Sequence, residues 1–91
     1  MTSVRLRIQG RVQGVWYRGW AVRQARELGL SGWIRNRRDG SVEALICGPE
    51  TRVRTMIERC HRGPPAARVE RVDEEPAAEA AARGFRQLPT S

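Results

Sequence analysis

The stretch Gly10-Arg11-Val12-Gln13-Gly14-Val15-Trp16-Tyr17-Arg18 holds the residue types and spacing that point to chemistry. Two glycines four positions apart allow a curled backbone whose successive N–H groups turn inward as a nest for an anion. Helical spacing begins near its end, so the stretch runs into a helix N-terminus, where unpaired N–H groups and the positive end of the helix dipole favour negative charge. Arg18 falls in the first turn of that helix. A lone cation is disfavoured there, and it makes sense when a bound anion sits between. No Gly-Lys-Ser/Thr follows and no dinucleotide spacing is present, so this is neither a Walker A loop nor a GxGxxG fingerprint. The plainer alternative is a tight strand-to-helix turn that holds nothing.

Composition narrows the remaining classes. The chain has 91 residues, with one histidine (His61) and two cysteines (Cys47, Cys60), too few for a zinc site built from imidazole and thiolate. No apolar run approaches the ~18–20 residues of a membrane span. The first residues lack the apolar stretch of a secretory signal, so the expected compartment is the cytoplasm. All seventeen basic residues are arginine, against ten acids, for a net charge of +7. Ten alanines accompany them, a pairing that a G+C-rich genome produces by codon bias. The charge is still uneven. Residues 1–62 carry thirteen arginines and five acids, residues 63–91 four and five, so an anionic partner should meet the first two thirds.

The elements that must position the loop follow from periodicity. Val4, Leu6 and Ile8 alternate with Arg5 and Arg7, a half-buried strand, and Gln9 onward reads as the shaped loop. Residues 17–28 have helical spacing, and Gly29 with Leu30 reads as a C′ glycine and its apolar follower. Residues 32–37 and 42–47 read as two strands around the hairpin signal Asp39-Gly40. Gly48-Pro49-Glu50 opens a second helix, whose apolar stripe is Val53, Met56, Ile57 and Cys60. Gly63-Pro64-Pro65 ends it. Val69 and Val72 mark a fourth strand, Phe85 to Leu88 a short last one, and Glu74 to Arg83 reads as either a helical turn or a loose loop. The order β-α-β-β-α-β predicts an α+β, ferredoxin-like sandwich. It has an antiparallel sheet, both helices on one face and a short C-terminal strand. That order by itself says nothing of function.

Three motifs resemble those of acylphosphatases: Gly10-x-Val12-Gln13-Gly14-Val15-x-Tyr17-Arg18, Gly32-Trp33-Ile34-Arg35-Asn36-x-x-Asp39-Gly40-Ser41-Val42-Glu43, and Gly63-Pro64-Pro65-Ala66-x-x-Val69. Ala25-x-x-Leu28-Gly29-Leu30 between them is similar as well, and Arg18 and Asn36 stand eighteen apart, as the two catalytic residues of that family do. The likeness spans roughly residues 4–72 and weakens at the tail, where Pro89 limits the last strand to an edge or a short piece. It implies a hydrolase that cleaves acyl phosphates to a carboxylate and inorganic phosphate, with no metal and no cofactor. By that resemblance the backbone of Arg11, Val12, Gln13, Gly14, Val15, Trp16 and Tyr17 cradles the phosphate. Arg18 binds and neutralises it, and Asn36 positions the attacking water. The chemistry agrees: a carboxylate leaves without a strong general acid, so positioning and charge stabilisation suffice. The implied organisation is one domain over residues 1–91, a monomer, with phosphate or sulfate as competing anions and no membrane or nucleic-acid partner.

Other residues carry two readings each. Trp16, Trp20 and Trp33 are either core packing or a base-stacking set. Arg35, Arg37 and Arg38 are a solvated hairpin or an anion-steering patch. Cys60 reads as a buried thiol, with a Cys47–Cys60 bridge disfavoured by the expected compartment. Asn36 outside its motif is ordinary turn chemistry. An RNA-binding module is the competing class, but the RNP1 pattern is absent and residues 42–47 hold no aromatic. A catalytically silent phosphate sensor is the third.

Overall fold

The computed structural model describes residues 1–79 and 81–91. Five strands and two helices follow one another as β1 (Thr2–Arg11), α1 (Tyr17–Glu27), β2 (Ser31–Asn36), β3 (Val42–Gly48), α2 (Glu50–Arg62), β4 (Arg68–Pro76) and β5 (Phe85–Gln87). They form one sheet in the order β4-β1-β3-β2-β5. The first four strands pair antiparallel, as the ferredoxin-like arrangement requires, whereas β5 runs parallel to β2 through Gly32↔Phe85 and Ile34↔Gln87. The sheet is therefore mixed. The expected short last strand is present at the edge, and its direction was not legible because pairing partners are not a local property.

The alternation in β1 sends Val4, Leu6 and Ile8 to one face, opposite Ile46, Ala44 and Val42 of β3. This face receives Ala21, Val22 and Ala25 of α1 and the stripe Val53, Met56, Ile57 and Cys60 of α2, all buried in one core. Each fully buried Leu, Ile or Val contributes about 1.5–3 kcal/mol. α1 ends as the glycine signal predicts. Leu30 N–H donates to the Ala25 carbonyl at 2.9 Å and Gly29 N–H to Arg26 at 3.1 Å, with Gly29 at φ 67°. This is the Schellman arrangement. It turns the chain sharply into β2 and so sets where Asn36 emerges. Pro49 stands as the N-cap of α2 and not inside its first turn.

The other face carries Arg5, Arg7, Trp33, Arg35 and Glu43. Glu43 is buried there, with Arg35 Nε at 2.9 Å and Arg37 Nη1 at 3.4 Å from its Oε1. Cys47 lies on this face beside Ser3 Oγ, while Cys60 sits in the helix layer, so both thiols are free.

Two segments depart from expectation. β1 continues through Gln9, Gly10 and Arg11, because the chain bulges between Gln9 and Gly10 and then resumes pairing with Val69 and Arg68 of β4. β4 in turn runs on through Glu74 and Glu75 to Pro76, where a helical turn or loop was expected. Acidic, alanine-rich sequence has little strand propensity, but β1 extends alongside it, with Leu6, Arg5 and Val4 opposite Glu74, Glu75 and Pro76, and backbone pairing along this edge outweighs local preference. Pro76 is tolerated because β4 is an edge. Ala80, within the same segment, lies outside the described residues.

Candidate active site

Between the last β1 pairing and the first turn of α1, residues 12–16 have no sheet partner. Val12 is buried in the core and Val15 packs against it, so these two side chains peg the loop from inside. Gly14 at φ 73° and Trp16 at φ 66°, ψ 26° supply left-handed bends, which curl the backbone back toward the helix. The first helical hydrogen bond is Trp20 N–H to the Trp16 carbonyl at 3.1 Å, and no side chain caps the helix. Among the described residues, the N–H groups from Gly14 to Gly19 reach no acceptor in the fold. Six backbone donors at a helix N-terminus are thus left without a partner in the fold. With no acid in the first turn, nothing within α1 neutralises them.

Of these residues Gly14, Trp16, Tyr17, Arg18 and Gly19 border a concavity of about 260 Å³, which Asn36 and Gln87 also line. Arg18 is the one charged residue on its wall, so the site is electropositive. Its Nη1 donates to the Leu88 carbonyl at 3.1 Å, which fixes one edge of the guanidinium and leaves further N–H groups for a ligand. Asn36 is the last residue of β2, held opposite Val42. The C-terminal segment ties both residues down. Leu88 N–H donates to the Ile34 carbonyl at 2.8 Å and Ser91 N–H to the Asn36 carbonyl at 3.0 Å. Neutral N–H donors, one guanidinium and one amide can bind a tetrahedral anion and hold a water beside it.

The family model for acylphosphatase matches residues 4–87, which takes in the loop, Arg18, Asn36 and Gln87. The chain belongs to the acylphosphatase family. It is 57% identical to the acylphosphatase of Rhizorhabdus wittichii over 94% of this chain and 87% of that one. Identity to the acylphosphatase of Rhodospirillum rubrum is 52%, over 99% of each. The crystal structure of acylphosphatase from Bacillus subtilis superposes with a TM-score of 0.91 at 31% identity, covering 97% of this chain and 99% of that one. Membership assigns the chain acyl-phosphate hydrolysis and a small-molecule acyl phosphate as substrate.

Within this acylphosphatase fold, the residues expected from sequence divide. Val12, Gly14, Trp16, Tyr17, Arg18 and Asn36 line one concavity. Arg11 does not join them: it belongs to β1, opposite Arg68, and borders a separate hollow with Asp39 and Glu70. Gln13 and Val15 sit in the loop but turn their side chains to the β2–β3 hairpin and to the core. Tyr17 serves the fold, since its buried hydroxyl donates to the Cys60 carbonyl at 2.6 Å and burial pushes its pKa far above the usual phenol range. Arg35 and Arg37 are engaged by Glu43, so of the hairpin arginines Arg38 alone is fully solvated. Trp20 packs edge-on against Tyr17 at 5.4 Å, and Trp33 stacks with Arg35 at 4.9 Å. Sequence reasoning missed Gly19, Gln87 and the Leu88 carbonyl. The tail carries no local signal, because its role arises from lying beside β2.

Proposed function

We propose that this acylphosphatase hydrolyses its substrate without a metal, with the outward N–H groups of the loop and α1 cradling the phosphate, Arg18 binding it, and Asn36 holding the attacking water. The observation that carries this reading is that Gly14, Trp16, Tyr17 and Gly19, whose N–H groups have no acceptor in the fold, line one carboxylate-free concavity with Arg18 and Asn36. The phosphate accepts from the N–H groups, and the guanidinium presents its planar fork to two oxygens. Asn36 has no basic function near neutral pH. Its carbonyl accepts a hydrogen bond from the water while its N–H₂ donates to a phosphoryl oxygen. The water oxygen bonds to phosphorus as the phosphorus–acyl oxygen bond breaks. The bonding pair leaves with the carboxylate, and the water's protons stay with the phosphate until one passes to solvent. Charge builds on phosphoryl oxygens already facing fixed donors, which lowers the barrier without reorganisation. A carboxylate leaving group needs no Lewis acid, so metal is dispensable on chemical grounds.

The chain acts in this reading as one domain and a monomer, since loop, Arg18 and Asn36 come from a single sheet-and-helix unit. Hydrolysis of a small acyl phosphate in excess chelator tests it. Turnover unchanged by chelator, with competitive inhibition by inorganic phosphate or sulfate, is expected. Loss of turnover on chelation, restored by a divalent metal, overturns the metal-free mechanism, and purely non-competitive inhibition places the anion elsewhere.

A further inference from the structure

Phosphate binding by backbone N–H groups leaves Trp16 without a purpose. Its side chain is 57% exposed, and among the described residues Met1 is the only other large apolar one left so open. It is also the one non-glycine residue with positive φ among the described residues. A bulky aromatic in the left-handed region is strained, and such strain persists where function holds it. Glycine or asparagine at this position makes the same bend without the cost.

The indole is nevertheless held in place. It leans on α1 so closely that a Cβ on Gly19 would collide with its Nε1 and Cδ1, and Arg23 brings its guanidinium to 5.6 Å from the ring centroid. The ring thus has a fixed seat over the first turns of the helix. It borders the same concavity as Arg18, Asn36 and Gln87. A tetrahedral phosphate fills the space of about three waters, ~90 Å³, so most of the 260 Å³ is left for the rest of the substrate. Val12 and Tyr17, the other apolar residues on the wall, are buried, so Trp16 supplies its accessible apolar surface.

We propose that Trp16 is the acyl-group subsite of this enzyme, an aromatic platform that favours aryl acyl phosphates over short aliphatic ones; this rests on the hydrolytic reading above. A planar acyl group stacked on the indole buries apolar surface from both partners, and the two quadrupoles favour an offset or edge-on approach. A methyl group in the same place covers little of the ring. Gln87 belongs to the same wall, where its amide can donate to the acyl carbonyl oxygen.

The test uses phosphonates whose bridging oxygen is replaced by CH₂, so that binding is read without turnover. Phenacylphosphonate is expected to bind the wild type about tenfold more tightly than acetonylphosphonate, and its ring current to shift the Trp16 indole N–H resonance. Trp16→Phe retains the preference. Trp16→Asn, which suits the left-handed backbone, loses it while still binding inorganic phosphate. The ratio of kcat/KM for benzoyl phosphate over acetyl phosphate falls in parallel. Equal affinity of the two phosphonates for the wild type overturns the proposal, as does a preference that survives Trp16→Asn or an unmoved Trp16 resonance. Loss of inorganic phosphate binding in Trp16→Asn also overturns it, because Trp16 is then a support of the loop. Turnover of both substrates with equal kcat/KM leaves hydrolysis standing and removes the platform. An aryl preference in binding with no turnover of either substrate keeps the platform and removes the hydrolytic mechanism.

Discussion

The side-chain amide of Gln13 donates to the Arg37 carbonyl at 2.7 Å and, through the same nitrogen, to the Ser41 carbonyl at 2.8 Å. The loop before α1 is thereby clamped to the hairpin that begins immediately after Asn36. Gln13→Glu removes both donors and sets a carboxylate against two carbonyls. It should cost about 1–3 kcal/mol of stability, read from urea midpoints. Gln13→Ala should lower kcat while inorganic phosphate still binds, because the side chain faces the hairpin and not the ligand. Phosphate affinity lost as fully as in Arg18→Ala would make Gln13 a ligand.

Arg18→Ala should leave a folded protein with about 30- to 1,000-fold lower kcat/KM, the equivalent of ~2–4 kcal/mol for one arginine–phosphate pair in a partly desolvated site. Arg18→Lys should recover little, since a point charge neither forks to two oxygens nor spans from Leu88 to the ligand. Near wild-type turnover in folded Arg18→Ala sinks the assignment.

Asn36 is assigned to the water, so Asn36→Ala should lower kcat with KM little changed. Calorimetry should find inorganic phosphate binding to it at close to wild-type affinity. Asn36→Asp keeps the size but places a negative charge beside an anionic substrate, and should be at least as damaging. If Asn36→Ala loses phosphate as fully as Arg18→Ala, Asn36 is a phosphate ligand and the water is held elsewhere.

Alkaline stability should be limited by buried acids. Burial pushes the Cys60 thiol up to about 12, from an ordinary value of 9.0. Its pKa is raised by folding, so its contribution is complete below pH ~9 and is lost as pH rises toward 12, where the unfolded chain ionises first. Tyr17 adds the same trend from about pH 10 upward. Urea midpoints should fall through this window, and Cys60→Ala should flatten the part that begins near pH 9. A midpoint independent of pH from 8 to 11 contradicts this.

Much of the site was written locally. Glycine spacing, Arg18 at the helix start and the Asp39-Gly40 turn are short-range features, and local backbone preference decides them. The same holds for the two amphipathic helices and the strands around the hairpin, because periods of 3.6 and 2 dictate which side chains are buried. The eighteen-residue separation of Arg18 and Asn36 was legible as a motif.

Tertiary structure decided the rest. Arg11 left the loop because a bulge at Gln9 and Gly10 let β1 resume pairing with β4. Glu74 to Pro76 became strand because the start of β1, Val4 to Leu6, lies alongside to pair with it. Gln87 and Leu88 reached the site because β5 lies parallel to β2, some fifty residues away in sequence, and Trp16 stayed exposed because Gly19 and Arg23 gave its ring a seat outside the core. Each of these depends on which segment meets which across the sheet or along the helix. A residue's own type and near neighbours specify its backbone and its face, whereas its partner is chosen by burial and charge summed over the folded chain.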